Sequence, residues 1–257
     1  MTIKSNKIEN FLQSPAVVHV FDAIDSTNNE AKRRAPTDPD CAVLYVTDCQ
    51  TAGRGRRGHD FYSPKGSGLY FTLSLPVRGD VADVQLLTCA AAVAVCEAIE
   101  ALTDREAQIK WVNDIFIDGK KVCGILSEAS YGIQTGKLEY VIVGIGINAY
   151  EPSGGFPSAI ADVAGSVFDE PATGLKNRLA AEVLNRFMAY YKHLPDTPYS
   201  EEYIRRSMVT GKDVTVHKGK EMINAHVLGI DEEFGLKVRY DDGSVEILRS
   251  GEVSIRI

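Results

Sequence analysis

Residues 53–58, Gly53-Arg54-Gly55-Arg56-Arg57-Gly58, set three arginines on a glycine-rich backbone between two runs that read as strands, residues 41–47 and 69–75. The hexapeptide spells G-x-G-x-x-G, which announces a dinucleotide-binding βαβ unit only when a strand precedes it and a helix follows. Here residues 59–68 continue as loop and lead into the alternating Leu69-Tyr70-Phe71-Thr72-Leu73-Ser74-Leu75. The missing helix argues against the βαβ fold. What remains is an anion cradle: glycines let main-chain N–H groups close on an anion, and each arginine offers a planar fork of donors that stays charged. The loop is expected to hold a nucleotide or an acyl-phosphate. The plainer reading is a solvated basic loop, because runs of charge are often only surface; the residues downstream weigh against it.

Lys110-Trp111-Val112-Asn113-Asp114 is followed by two strand-like runs that meet at Asp118-Gly119, a strong hairpin signal. The hairpin is expected to bring Asn113 and Asp114 near Lys121 and Gly124, collecting an amide, a carboxylate and an ammonium in one site. A further strand ends in Gly144-Ile145-Gly146-Ile147-Asn148, whose small residues would let a ligand approach the backbone and whose Asn148 could bond a sugar hydroxyl or a phosphate. Taken singly, each piece has an ordinary structural reading, as exposed hairpin charges or strand packing.

Elsewhere the pattern is a large α/β body followed by an all-β tail. Thr27 and Glu30 spell a T-x-x-E capping box, expected to open a helix with Ser26 and Thr27 at its mouth. Residues 84–102 are alanine-rich and apolar, a buried helix, and the four-residue recurrence of Leu175, Leu179, Val183, Phe187 and Tyr191 marks an amphipathic one. From residue 209 short alternating segments follow, at 213–216, 224–230, 236–240 and 244–248, with a hairpin turn at Asp242-Gly243. Such spacing suggests a small barrel, so domains are expected at 1–208 and 209–257.

A chain of 257 residues can bury one full core and carry a small second domain. Its net charge of −7 argues against a nucleic-acid partner, which would call for a broad basic surface. Five scattered cysteines without a C-x-x-C pair suit free thiols in a reducing cytosol. Neither a signal peptide nor a membrane-spanning apolar run is apparent, so a cytoplasmic location is expected.

Ser26-Thr27-Asn28, residues 50–58, Ser63-Pro64, Lys110-Trp111 with Asn113-Asp114, Lys121 with Gly124-Ile125-Leu126, and residues 144–148 together resemble the biotin protein ligase family in order and spacing. Two departures stand out: Val112 occupies a position where the family usually has proline, and Phe61 one where it usually has tryptophan. Neither removes a charge or a donor. The resemblance implies an α+β fold, a mixed-sheet catalytic domain of the class II synthetase-like biotin/lipoate ligase type with a small C-terminal SH3-like β-barrel. Regulatory members carry a helix-turn-helix domain ahead of the Ser-Thr-Asn motif, which begins here at residue 26, so the form without a DNA-binding domain is expected.

The resemblance also implies roles. Biotin would be held by Ser26, Thr27, Asn28, Gln50, Gly53, Arg54, Gly55, Arg56, Lys121, Gly124 and Gly144. The nucleotide would be held by Arg56, Arg57, Phe61, Lys110, Asn113 and Asn148. Lys121, Arg54 and Asp114 are expected to be catalytic; Asp114 would orient the attacking amine, since a carboxylate is a weak base near neutrality. Biotin and ATP are the implied substrates, with Mg2+ sharing the phosphate charge, and a biotin carboxyl carrier protein or domain is the implied acceptor. Residues 51–68 would order over the reactive intermediate. A homodimer through a sheet edge is in keeping with the family. The alternatives are a lipoate or octanoate ligase and a non-enzymatic biotin sensor.

Overall fold

A computed structural model describes residues 2–35, 41–75, 84–131, 138–219 and 221–255. Its body is a seven-stranded mixed sheet of order β1-β2-β3-β7-β6-β5-β4. Strands β1 (Ala16–Phe21) and β2 (Ala42–Thr47) are parallel; β3 (Gly68–Leu75), β7 (Leu138–Asn148), β6 (Lys120–Tyr131), β5 (Asp114–Ile117) and β4 (Gln108–Lys110) complete it antiparallel. The loop carrying Gly53 to Gly58 therefore joins two adjacent antiparallel strands, and the βαβ unit is excluded.

Strands β2 and β3 are buried along their whole length because both faces of the sheet are covered. On one side lie α3 (Val84–Glu100) and α4 (Leu175–Tyr191). Helix α3 contains no glycine or proline and is apolar nearly all round, the composition of a helix enclosed on every side. On the other side α2 (Thr27–Arg34) packs through Ala31 on Val43, Tyr45 and Ile142. The alternation of Val43 and Tyr45 with Leu44 and Val46 sends successive β2 side chains to these two covers. Helix α1 (Ser5–Glu9) and β1, which the sequence did not announce, close the N-terminal side.

The expected hairpin forms between β5 and β6, and positive φ at both Asp118 and Gly119 gives the turn that matches strand twist. The capping box does not form. Ser26, not Thr27, is the N-cap, the Thr27 hydroxyl lies against Gln50 and Thr72, and Glu30 turns to Arg33 and Arg34. Two nearby guanidinium groups outcompete a main-chain N–H for the carboxylate, since both partners then carry charge.

The tail is a five-stranded antiparallel sheet, β11-β10-β9-β8-β12, formed by β8 (Asp213–Lys218), β9 (Glu221–Ile230), β10 (Leu236–Tyr240), β11 (Val245–Leu248) and β12 (Glu252–Ile255). The last strand was not anticipated. After α5 (Ser200–Arg205), buried Arg206 binds Glu100 and Glu202 and donates to the Ala107 carbonyl, tying the entry to the tail against the body. Phe234 stacks on Tyr199 at 5.6 Å between ring centroids and meets Tyr203 edge-on at 5.2 Å, and the Trp111 indole donates to the Phe234 carbonyl. One hydrophobic cluster runs through both sheets. Among the described residues, no helix is long and apolar enough to cross a membrane.

Candidate active site

Two neighbouring rungs of the sheet organise a cleft of about 250 Å3 on the α2 side. The first rung aligns Thr72, Gly144 and Leu126; the second aligns Tyr70, Gly146, Gly124 and Asp114. Rungs two residues apart share a face and stand about 7 Å from one another. The rungs carry different chemistry.

Neutral hydrogen-bonding groups gather at the first rung. The main-chain N–H of Thr27 donates to Gln50 Oε1 at 2.9 Å, and Gln50 Nε2 donates to Ser63 Oγ at 3.0 Å. The Thr72 hydroxyl lies 2.6 Å from Asn28 Oδ1 and 2.9 Å from Thr27 Oγ1. A methyl group on Gly144 would stand 1.9 Å from Asn28 Oδ1. Gly144, which lines the cleft, therefore makes room for the Asn28 amide.

Charge gathers at the second rung. Lys121 Nζ lies 2.7 Å from Asp114 Oδ1, Asn113 donates to the same oxygen at 3.1 Å, and Arg56 donates to Asn113 Oδ1 at 2.9 Å. The Lys110 ammonium sits over the Phe116 ring at 5.9 Å. Between the groups the Phe61 ring lies over Gly124 and Gly146, where added methyl groups would stand 3.1 and 2.8 Å from it. These glycines make room for an aromatic face.

The glycine-rich loop is a small closed structure. Gly55 donates to the His59 carbonyl at 2.7 Å, Phe61 to the Gly53 carbonyl at 3.0 Å, and Arg57 and Gly58 take positive φ in a tight turn. A methyl on Gly53 would meet the Phe61 carbonyl oxygen at 2.5 Å, so the crossing of chain requires that glycine. The buried Lys176 ammonium holds the far end of the loop, donating to the carbonyls of Gly66 and Gly68 at 2.9 and 3.3 Å beside Asp48.

Of the residues singled out in the sequence, Ser26, Thr27, Asn28, Gln50, Arg54, Gly55, Arg56, Arg57, Phe61, Lys110, Asn113, Asp114, Lys121, Gly124 and Gly144 line the cleft. Gly53 and Asn148 do not. Asn148 donates to the Gly165 carbonyl at 3.1 Å and fastens a loop to the rim. Arg54 lines the cleft with its guanidinium turned to Asn29, to which it donates at 3.2 Å, and to Glu128 at 3.8 Å. Gly251, just before the unanticipated β12, and Val253 within it join the lining from the tail, as do His59, Asp60 and Trp111 from the body. Val112, also buried, is joined to Trp111 by a cis peptide. Burial pushes the Cys123 thiol well above its ordinary pKa, so this neighbour of Lys121 stays protonated and is no nucleophile.

Residues 20–148 match the family described as the biotin/lipoate A/B protein ligase family. The bifunctional ligase/repressor BirA of Bacillus spizizenii is 32% identical over 232 residues, covering 88% of this chain and 70% of that protein. The chain belongs to the biotin/lipoate A/B protein ligase family. A biotin–[acetyl-CoA-carboxylase] ligase of Paracoccus denitrificans is 31% identical over 239 residues, covering 89% of this chain and 96% of that one. Among solved structures, the biotin protein ligase from Aquifex aeolicus in complex with biotin and ATP superposes with a TM-score of 0.75 at 25% identity, over 93% of this chain and 98% of that one. The superposition covers both the mixed sheet and most of the antiparallel C-terminal sheet, whereas the family match ends at residue 148.

Proposed function

We propose that this chain activates biotin with ATP to biotinyl-5′-AMP and transfers the biotinyl group to a lysine of a biotin carboxyl carrier protein or domain. One observation carries the reading: neutral hydrogen-bonding groups and a cationic set occupy adjacent rungs of one cleft. A ureido ring is neutral and rich in donors and acceptors, and suits the Thr27, Asn28 and Gln50 group. A carboxylate and a polyphosphate are anionic, and suit Arg56, Lys110 and Lys121. A relative named a biotin–[acetyl-CoA-carboxylase] ligase and a biotin protein ligase structure with biotin and ATP, each matched over most of this chain's length, support the same assignment.

In the first step a biotin carboxylate oxygen attacks the α-phosphorus of ATP, and the bond to the leaving pyrophosphate breaks. Two anions approach each other, so positive charge must be in place beforehand. Lys121, oriented by Asp114, and Arg56, oriented by Asn113, supply it at fixed positions. In the second step a neutral lysine amine attacks the acyl carbon, AMP departs and the nitrogen gives up a proton. Phe61 and the tail residues Gly251 and Val253 shield the mixed anhydride from water.

Among the described residues there is no cluster of three or more His, Cys, Asp or Glu that could hold a metal. The cleft carboxylates Asp60 and Asp114 fit a magnesium ion that arrives on the nucleotide and keeps mostly phosphate and water ligands. Bound in that way, it would share the phosphate charge. Residues 1–208 would carry the chemistry, and residues 209–257 would cover the nucleotide and meet the acceptor. The cytoplasm, where carrier and ATP occur together, suits the five free thiols. The open edge of β1 offers a surface for a homodimer, and the net charge of −7 disfavours DNA as a partner.

ATP–pyrophosphate exchange with magnesium, comparing biotin, lipoate and octanoate, tests the reading. Exchange with biotin alone is expected. Exchange only with lipoate or octanoate would move the chain to the other branch of its family, and tight biotin binding without exchange would make it a sensor.

A further inference from the structure

Behind the neutral rung lies a charged residue that the proposed reaction does not use. Glu128, on β6, has one oxygen 2.6 Å from Lys32 Nζ, while the other accepts from Asn28 Nδ2 at 2.9 Å. The second Asn28 amide proton goes to the Leu126 carbonyl at 3.2 Å. With both protons committed, Asn28 presents its oxygen to the Thr72 hydroxyl, which donates to it at 2.6 Å. Thr72, completely buried, has one proton for two contacts, Asn28 Oδ1 at 2.6 Å and Thr27 Oγ1 at 2.9 Å, and with the shorter contact taking it the Thr72 oxygen faces Thr27 as an acceptor. The Thr27 proton has two takers, Thr72 Oγ1 and Gln50 Oε1. Either way Thr27 Oγ1 meets the cleft with lone pairs.

We infer that Glu128 is a positioning residue that sets the donor-to-acceptor direction of the Asn28–Thr72–Thr27 relay, so that Thr27 receives an N–H of the bound acid, and the cleft thereby selects acids carrying a ureido ring. The inference rests on the biotin reading above. A carboxylate can only accept, so its charge imposes one orientation on the Asn28 amide. Without it only the longer bond to Leu126 opposes a flip. A flipped amide donates to Thr72 and sends the Thr72 proton to Thr27, which takes up a Thr27 lone pair and leaves Gln50 as the remaining partner for the Thr27 proton, so that Thr27 accepts a ligand N–H less well.

The test uses the full chain and calorimetric binding of biotin, desthiobiotin and ATP, together with pyrophosphate exchange. Glu128→Ala is expected to weaken biotin and desthiobiotin, which share the ureido ring, by about tenfold. ATP affinity and the exchange rate at saturating biotin are expected to stay within about twofold of wild type. Glu128→Gln, whose amide oxygen still accepts from Asn28, restores most of the loss. Should Glu128→Ala fail to fold, Thr72→Val against Thr72→Ser asks the same question, with the loss confined to valine. Unchanged biotin affinity in folded Glu128→Ala and Thr72→Val, equal losses for biotin and ATP, or a glutamine variant as weak as alanine would overturn the inference while leaving the biotin reading intact. Wild-type protein that binds neither biotin nor desthiobiotin would sink both.

Discussion

Lys121 Nζ lies 2.7 Å from Asp114 Oδ1, across the hairpin closed by Asp118 and Gly119. The pair holds the ammonium in place before any anion arrives. Lys121→Ala is expected to slow pyrophosphate exchange about a hundredfold, near 3 kcal/mol in the barrier, with a smaller change in biotin affinity. Equal losses in affinity and rate would deny Lys121 a transition-state role.

The same contact changes what is expected of Asp114. The sequence placed it at the acceptor-lysine step alone, yet here it holds the ammonium proposed to serve adenylation. Asp114→Ala should therefore slow both half-reactions, and Asp114→Asn, which keeps an oxygen toward Lys121, should slow exchange less. Single-turnover assays of each half-reaction decide. Intact exchange with slowed transfer in Asp114→Ala would return the residue to the second step only.

Gly144→Ala forces the Asn28 amide to move, because the added methyl falls 1.9 Å from its oxygen. Overpacking of this kind costs about 1–3 kcal/mol, and biotin binding should fall with it. Thermal melting and biotin titration check both parts. A variant with wild-type affinity would show that the cleft does not need Asn28 where it stands.

Acid should loosen the joint between body and tail. Burial works to raise the pKa of Glu100, but hydrogen bonds from Arg206 overcome it and hold the carboxyl below its ordinary 4.5. The folded pKa lies below the unfolded one, so this stabilisation is complete above about 4.5 and is lost as pH falls through the folded value. Glu100→Gln should cost about 2 kcal/mol at neutral pH and flatten the decline of stability below pH 4.5. Denaturant melts across that range would show parallel curves if the pair contributed nothing.

Loop ordering should also be uneven. Lys176 already pins the main chain at Gly66 and Gly68, whereas the main chain of the turn from Arg56 to Gly58 bonds within the loop and reaches outside it through the Arg56 side chain to Asn113. Hydrogen exchange is expected to slow on biotin and ATP binding at residues 53–61 and to change little at 66–68. Uniform protection with and without ligand would mean that residues 53–61 do not act as a lid.

The features legible in the sequence were local ones. The Asp118-Gly119 turn specified the hairpin, and with it the meeting of Asp114 and Lys121; apolar periodicity specified α3 and α4. What escaped was set by partners distant in the chain. Glu128 and Thr72 matter through Asn28, 100 and 44 residues away, and nothing in their own neighbourhood marks them. Gly144 and Gly53 were read as openings for a ligand because a glycine does not reveal which neighbour it makes room for. The Thr27–Glu30 spacing fitted a capping box, but Gln50, Thr72, Arg33 and Arg34 offered better partners. Strand β12 is four residues long and follows a glycine, too short for alternation to identify.

In the proposed reaction one cleft both activates biotin and delivers it to a lysine. The most direct measurement is the intact mass of a purified apo carrier domain after incubation with this protein, biotin, ATP and magnesium. A gain of one biotinyl group is expected, lost when the acceptor lysine is replaced by arginine or when ATP is omitted. An acceptor of unchanged mass, with protein that binds biotin and ATP normally, would contradict it.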